Sequence, residues 1–202
     1  MNKDFEERSK AVFKVLAELA RVDAEVVFLG GSAIQALLPK AKRLSIDLDI
    51  SYEDNTAKLV LSLEKAGYFV TERKSRNPTF AFYKLAKNGV EVKLDIGRFT
   101  IPEKEKLLLR GFEVLVPKQH YFLAAKLSSL AFGTIGRLEQ EPTQIIKDIF
   151  DANCLLDNKP SLANMAVDWK RIASDQNKLR GTKFRGLQCV ESVQKTLLRC
   201  VC

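Results

Sequence analysis

The chain has 202 residues, with 33 Lys and Arg against 25 Asp and Glu, giving a formal net charge of +8. Apolar residues make up 46% and charged residues 29%, a globular composition that excludes a low-complexity or repetitive chain. The first eight residues lack the apolar core of a signal peptide, and the uncharged stretch 26–39 is too short to span a bilayer, so we predict a cytoplasmic protein with no membrane partner.

Apolar periodicity predicts an alternation of helices and strands in the first 117 residues. Asn88-Gly89 is a strong hairpin signal, and Ser32 after Gly30-Gly31 is a plausible helix N-cap. The predicted elements are a helix at 3–22, a strand at 26–29, a helix from Ser32 to Leu38, a strand at 45–51, a helix at 55–66, and strands at 68–74, 79–85, 90–96 and 112–116.

The strand pattern ends after Pro117, and only helical periodicity follows. Helices are predicted at 121–132, 142–156, 162–173 and 184–199. This change divides an α/β lobe, residues 1–117, from a helical lobe, residues 118–202. A cleft between two such lobes is a natural place for a ligand.

Two predicted strands carry carboxylates on one face. Side chains alternate along a strand, so Asp47 and Asp49 share the face opposite the apolar residues of 45–51, and Asp95 has the same place in 90–96. If these strands are neighbours, the three carboxylates form an oxygen-only cluster suited to Mg²⁺ or Mn²⁺. The alternative is the solvent-facing side of an antiparallel sheet.

The turn Gly30-Gly31-Ser32 precedes this carboxylate strand. Amides around Gly31 and the Ser32 side chain can hold phosphate oxygens at a helix N-terminus, where the helix dipole is positive. The chain has no Walker loop and no dinucleotide fingerprint, which disfavours P-loop and Rossmann folds.

Three charged residues stand out among the predicted helices after residue 117. Lys126 has apolar helical neighbours, so its ammonium should reach water or meet an anion. Asp148 and Asp151 share a helix face, and Asp148 could position Lys126 or the nucleotide. The alternative for this pair is a wet surface on which Lys147 pairs with Asp151.

Positive charge is concentrated near the end of the chain. Residues 170–199 contain eight basic and two acidic residues, net +6, which favours an anionic partner such as RNA or a triphosphate. A solvated helical face with no ligand is the alternative. The sequence assigns no role to Cys200 and Cys202, which lack the spacing of a zinc site.

These motifs, in this order, resemble those of the AbiEii/AbiGii toxin family, nucleotidyltransferases with the DNA polymerase β-like fold. The resemblance covers residues 26–151, although Ile145 stands where the family often has Arg or Lys. The motifs that carry it are Gly30-Gly31-Ser32, Arg43-x-Ser45-x-Asp47-x-Asp49, Lys93-Leu94-Asp95, Lys126 and Lys147-Asp148-x-x-Asp151.

The resemblance implies an α+β fold, in which a polymerase β-like lobe with a mixed sheet precedes a helical C-terminal lobe. It also implies transfer of a nucleoside monophosphate from an NTP to an acceptor such as RNA, with tRNA 3′ ends included, and restraint by an antitoxin partner. The site so predicted has catalytic Asp47, Asp49, Asp95, Lys126 and Asp148, nucleotide-binding Gly30, Gly31, Ser32, Arg43, Ser45 and Lys126, and the Mg²⁺ or Mn²⁺ ligands Asp47, Asp49 and Asp95.

Two other functions stay open at this point. The first keeps the fold and transfers the nucleotide to a small molecule, as antibiotic-modifying nucleotidyltransferases do, although the +6 segment argues mildly against it. The second is a non-catalytic RNA- or partner-binding module with the same fold.

Overall fold

The computed structural model describes residues 3–38, 45–75, 79–137 and 141–200. The chain divides into two compact units, Met1–Pro117 and Lys118–Cys202. No helix among the described residues has the length and apolar character needed to cross a membrane.

Within the described residues, the first unit has a seven-stranded mixed sheet and three helices. Its strands lie in the order β3-β4-β5-β2-β1-β7-β6, with β2–β5 and β1–β7 parallel and the other pairs antiparallel. The predicted α+β fold with a mixed sheet is confirmed. The elements are α1 (Lys3–Val22), β1 (Val27–Leu29), α2 (Gly30–Leu37), β2 (Asp47–Ser51), α3 (Ala57–Lys65), β3 (Phe69–Arg73), β4 (Phe80–Lys87), β5 (Val90–Gly97), β6 (Lys104–Leu109) and β7 (Phe112–Pro117).

The core of this unit lies on the face of the sheet that α1 covers. Leu16 and Leu19 of α1 are fully buried, as is Leu94 of β5, and α1 contacts β5, β2 and α3. Between α1 and β1, the carboxylate of Asp23 accepts hydrogen bonds from the backbone N–H of Glu25, the hydroxyl of Tyr52 and the ammonium of Lys58. The first of these bonds contributes most to lowering the pKa of Asp23 to about 2.

One prediction about this unit is wrong, and one strand was missed. Helix α2 begins at Gly30 directly after β1, so Ser32 is its third residue and not its N-cap. Strand β6 was not predicted, because its turn to β7, Arg110-Gly111, lacks the Asn or Asp that usually marks a two-residue hairpin. Arg110 and Gly111 nevertheless have φ of 49° and 88°, close to the 52° and 75° of Asn88 and Gly89 in the predicted hairpin.

The described part of the second unit contains four helices, and α4 contacts each of the other three. Its core includes Leu130, Ile135, Cys189 and Val193, with Trp169 packed against them. The third helix extends seven residues beyond its predicted end and stops at Gly181, whose φ of +64° suits glycine. These helices are α4 (Gln119–Ser129), α5 (Pro142–Asp157), α6 (Leu162–Arg180) and α7 (Gly186–Arg199).

Candidate active site

The predicted carboxylates lie on two neighbouring strands of the first unit. Asp47 and Asp49 are partly exposed on β2, about 7 Å apart along the strand, while Leu48 between them is fully buried. Strand β5 runs parallel to β2 with Asp95 directly opposite Asp49. Neighbouring strands are about 4.8 Å apart, so the structure brings all three carboxylates together.

The close approach of these groups changes the acidity of Asp95. Burial raises the pKa of Asp95 to about 6, and the negative charges of Asp49 and Asp47 add to the rise. The positive charges of Arg73 and Lys93 lower the pKa of Asp95 and so oppose part of this rise. A carboxyl that is costly to ionise beside two others is typical of a site that receives a positive group.

Helix α2 begins beside Asp49. Gly30 has a φ of +70°, and a Cβ built on it would lie 1.8 Å from Oδ2 of Asp49. Only glycine therefore fits this position. The first N–H groups of a helix have no acceptor within it, so the start of α2 directs positive backbone dipoles toward the neighbourhood of Asp49.

Ser32 forms bonds within the protein. It is 3% exposed, and its hydroxyl lies 2.8 Å from the Asp47 carbonyl oxygen and 3.1 Å from Oγ of Ser45. A hydroxyl has one proton and a carbonyl can only accept, so Ser32 donates to Asp47 and accepts from Ser45. These bonds fix α2 to the beginning of β2.

The three carboxylates offer the oxygen ligands that Mg²⁺ and Mn²⁺ prefer. As the side chains stand, no three His, Cys, Asp or Glu of the described residues converge on one point that could hold an ion. Asp49 is turned against Gly30, so a shared ion requires its carboxylate to rotate toward Asp47 or Asp95. The donor set thus fits a divalent cation after side-chain rotation.

The predicted nucleotide-binding residue Arg43 lies outside the described residues, as does Cys202. Cys200 is described and exposed.

Lys126 is the centre of a buried ion cluster in the second unit. Its ammonium lies 2.8 Å from Asp148 and 2.9 Å from Asp151, whose side chains are 2% and 0% exposed. The guanidinium of Arg137 lies 3.2 Å from the other oxygen of Asp148. The alternative of a wet surface with a Lys147–Asp151 pair is therefore wrong.

Arg137 and Arg73 were missed from the sequence. Arg73 is followed directly by Lys74 in an exposed strand and Arg137 lies in the connection before α5, so only the folded chain brings each one near a carboxylate. Within the basic segment 170–199, Arg180 donates to the carbonyls of Thr134 and Gly136 and Arg171 pairs with Asp168, so two of its eight cations bind protein atoms.

A family model described as "Nucleotidyl transferase AbiEii toxin, Type IV TA system" matches residues 14–192, most of the chain. The chain belongs to this family. The predicted resemblance to AbiEii toxins is therefore confirmed, and so is the assignment of the chain to the nucleotidyltransferases, a class of enzyme. No curated protein sequence matches this AbiEii family member significantly.

Several solved structures share the fold of this chain. JHP933 from Helicobacter pylori is 17% identical with a TM-score of 0.60, and the alignment covers 98% of this chain and 94% of that one. ANT(2″)-Ia, an antibiotic-resistance factor, is 13% identical with a TM-score of 0.57 over 84% of this chain and 98% of that one. The Megavirus polyadenylate synthase is 17% identical with a TM-score of 0.54, and the alignment covers 77% of this chain and 32% of that one.

Proposed function

We propose that this AbiEii family member is a metal-dependent enzyme that transfers a nucleoside monophosphate from an NTP to a hydroxyl group of RNA. One observation carries the proposal: the carboxylates of Asp49 and Asp95 are in register on parallel strands, next to the start of α2. Carboxylates beside the N-terminus of a helix suit a triphosphate and its cation.

The triphosphate lies at the start of α2 in this proposal. The backbone N–H groups of Gly30 and Gly31 donate to phosphate oxygens, and Ser32 and Ser45 hold the turn in place through their mutual bond. Arg43 is proposed as a further nucleotide contact from the sequence motif alone.

Asp47 and Asp49 hold Mg²⁺ or Mn²⁺, and Asp95 either completes that set or takes the proton of the acceptor hydroxyl. A divalent cation supplies positive charge that stabilises the phosphates during transfer. The acceptor oxygen forms a bond to the α-phosphorus of the NTP while the bond from that phosphorus to the bridging oxygen breaks. Pyrophosphate leaves, and the proton of the acceptor hydroxyl goes to solvent water if Asp95 completes the metal set or to Asp95 in its second role.

Roles in nucleotide binding for Lys126 and Asp148 are proposed from the sequence motif alone. An ammonium has three N–H donors, and bonds to Asp148 and Asp151 occupy two of them, which leaves one for a phosphate oxygen. The carboxylates hold the ammonium in one position, so it loses little freedom on binding a phosphate.

An RNA acceptor is favoured by the net +6 of residues 170–199, even with Arg171 and Arg180 engaged in the protein. The family name supports a toxin role, from which we propose an antitoxin partner and a cytoplasmic location. A small-molecule acceptor is the rival, because ANT(2″)-Ia was solved with adenylyl-2″-tobramycin. A non-catalytic binding module is the second rival.

A transfer assay tests the proposal. Each of the four labelled NTPs is incubated with total RNA or an aminoglycoside panel, with and without Mg²⁺. We expect label on RNA only when Mg²⁺ is present, and a loss of at least about 100-fold in Asp49→Asn. Asp54→Asn, an exposed aspartate of the same unit, is the matched control and should behave as wild type. Undiminished transfer by Asp49→Asn would refute the mechanism.

The same assay separates the rivals. Label on an aminoglycoside and not on RNA would establish the small-molecule enzyme. RNA binding that is indifferent to Mg²⁺ and to Asp47→Asn, with no transfer from any NTP, would establish the binding module.

A further inference from the structure

A row of four side chains crosses the sheet through the carboxylate site. Residues paired directly across neighbouring strands point to the same face. Asp49 of β2 is paired with Asp95 of β5, Asp95 with Phe82 of β4, and Phe82 with Arg73 of β3. The face therefore presents, in order, two carboxylates, an aromatic ring and a guanidinium.

Phe82 belongs to an aromatic platform formed by Phe80, Phe82 and Phe99, all partly exposed. The Phe80 and Phe82 rings are stacked with centroids 6.1 Å apart and planes 4° apart, and the Phe99 centroid lies 5.9 Å from that of Phe80. A Cβ built on Gly97 would lie 2.1 Å from the Phe99 ring, so the ring occupies the space of a side chain two residues from Asp95.

A serine of β2, Ser51, holds the backbone of the aromatic platform in place. The hydroxyl of Ser51 lies 2.5 Å from the carbonyl oxygen of Phe99 and 3.3 Å from that of Gly97. Ser51 is two residues beyond Asp49 on the same strand. The rings and the carboxylates are thus positioned by one continuous piece of sheet.

Positive charge lies around the platform. Arg73 is exposed at the far end of the row, and Lys84 and Lys93, also exposed, are paired across β4 and β5. Lys84 has a salt bridge to Glu91 at 2.5 Å, while Arg73 and Lys93 are close enough to act on the charge of Asp95. Aromatic rings beside cations are the two elements with which proteins bind single-stranded nucleic acid.

We propose that the aromatic platform and Arg73 bind the single-stranded 3′ end of the RNA acceptor, with a base stacked on Phe82 and a backbone phosphate at Arg73. This inference rests on the proposed function and names the acceptor-binding residues of the same site. It places the terminal 3′ hydroxyl of the RNA beside Asp95, on the next strand.

The order of the strands assigns the platform to the acceptor and not to the NTP. The start of α2, where the triphosphate is proposed, follows β1 on one side of Asp49, whereas β4 and β3 lie on the other side of Asp95. The carboxylates thus separate the two substrates, as in-line transfer between them requires.

Binding and transfer measurements on two variants test the inference. The probe is a fluorescein-labelled single-stranded RNA of about ten nucleotides, within the span that such sites bind. Phe82→Leu keeps the apolar volume but removes the stacking surface, and Arg73→Gln removes the charge. We expect each to weaken RNA binding and to lower kcat/KM for RNA by about 10-fold or more, with NTP affinity unchanged within about two-fold.

Two further variants make the result specific. Phe69→Leu is the matched control, because Phe69 is 74% exposed on the same face of β3 but about 13 Å from Arg73, and it should bind as wild type does. Phe82→Tyr keeps an aromatic ring and should retain RNA affinity. Thermal unfolding of all variants verifies that they are folded.

The outcomes separate this inference from the proposed function. Weaker NTP binding by Phe82→Leu with intact RNA affinity would assign the platform to the base of the NTP and overturn the inference. Equal RNA loss in Phe69→Leu, or no loss in Phe82→Leu, would also overturn it. The Asp49→Asn variant should still bind the RNA probe while losing transfer. Transfer that survives Asp49→Asn would refute the proposed function, whatever the platform variants show.

Discussion

Replacing Lys126 by Met is expected to destabilise the second unit strongly. The substitution keeps the apolar stem but removes the ammonium that bonds Asp148 and Asp151, both almost completely buried. Breaking a buried ion pair by removing one partner costs about 3–5 kcal/mol, because the remaining charge is left without compensation. Arg137 still pairs with Asp148, so we expect a value near the lower limit, about 3 kcal/mol.

Unfolding of this unit can be followed selectively. The chain has one tryptophan, Trp169, and it packs against the core of the second unit, so its fluorescence reports on that unit. Urea denaturation should give the loss of about 3 kcal/mol, and for a unit of this size the thermal midpoint should fall by about 12–24 °C. Lys195→Met, an exposed position on α7, should change stability by no more than about 0.5 kcal/mol.

A second substitution tests the cause. Asp151→Asn added to Lys126→Met removes the uncompensated carboxylate, so the double variant should regain at least about 1 kcal/mol relative to the single one. If Lys126→Met instead kept wild-type stability while transfer was lost, the ammonium would act on the nucleotide alone, and its description as a buried counter-ion would be refuted.

Three further predictions concern the first unit. Gly30→Ala should lower the stability measured by urea denaturation by about 1–2 kcal/mol, because the backbone of Gly30 is left-handed. It should also abolish activity in the transfer assay, because the new methyl group displaces the Asp49 carboxylate. An active Gly30→Ala variant would contradict this prediction. Gly97→Ala should displace the Phe99 ring and weaken RNA-probe binding with NTP affinity unchanged, whereas an unaltered anisotropy titration would show that the ring position is unimportant. The folded pKa of Asp23 is below its unfolded value near 4, so its contribution is present above about pH 4 and is lost as the pH falls toward 2. Asp23→Asn should therefore cost about 1–2 kcal/mol at neutral pH but almost nothing near pH 2, and an equal cost at both would refute this linkage.

Local patterns in the sequence predicted much of the sheet and its carboxylate face. Alternation along β2 and β5 placed Asp47, Asp49 and Asp95 opposite the buried residues, as the structure has them. The parallel pairing that sets Asp49 beside Asp95 could not be read from alternation, because β3 and β4 intervene between these strands in the chain. Alternation supplied only the condition that the two strands be neighbours.

The errors have physical causes. Ser32 has the chemistry of an N-cap, but β1 passes directly into α2 and places its hydroxyl against β2. Lys126 was correctly singled out for its apolar neighbours, and Asp148 was one of the partners considered for it, but Asp151 was expected to pair with Lys147 and Arg137 gave no signal. Such contacts between distant residues depend on how the helices pack, which periodicity does not specify.

The position of β2 in the sheet affects how the site opens. It is the fourth of seven strands, hydrogen-bonded on both sides, and it carries Asp47 and Asp49. Central strands usually exchange their amide hydrogens only when the whole unit unfolds, whereas edges such as β3 open locally. The carboxylates should therefore remain assembled through fluctuations that release Arg73, so the acceptor side would adapt to different RNA ends while the reacting centre stays rigid.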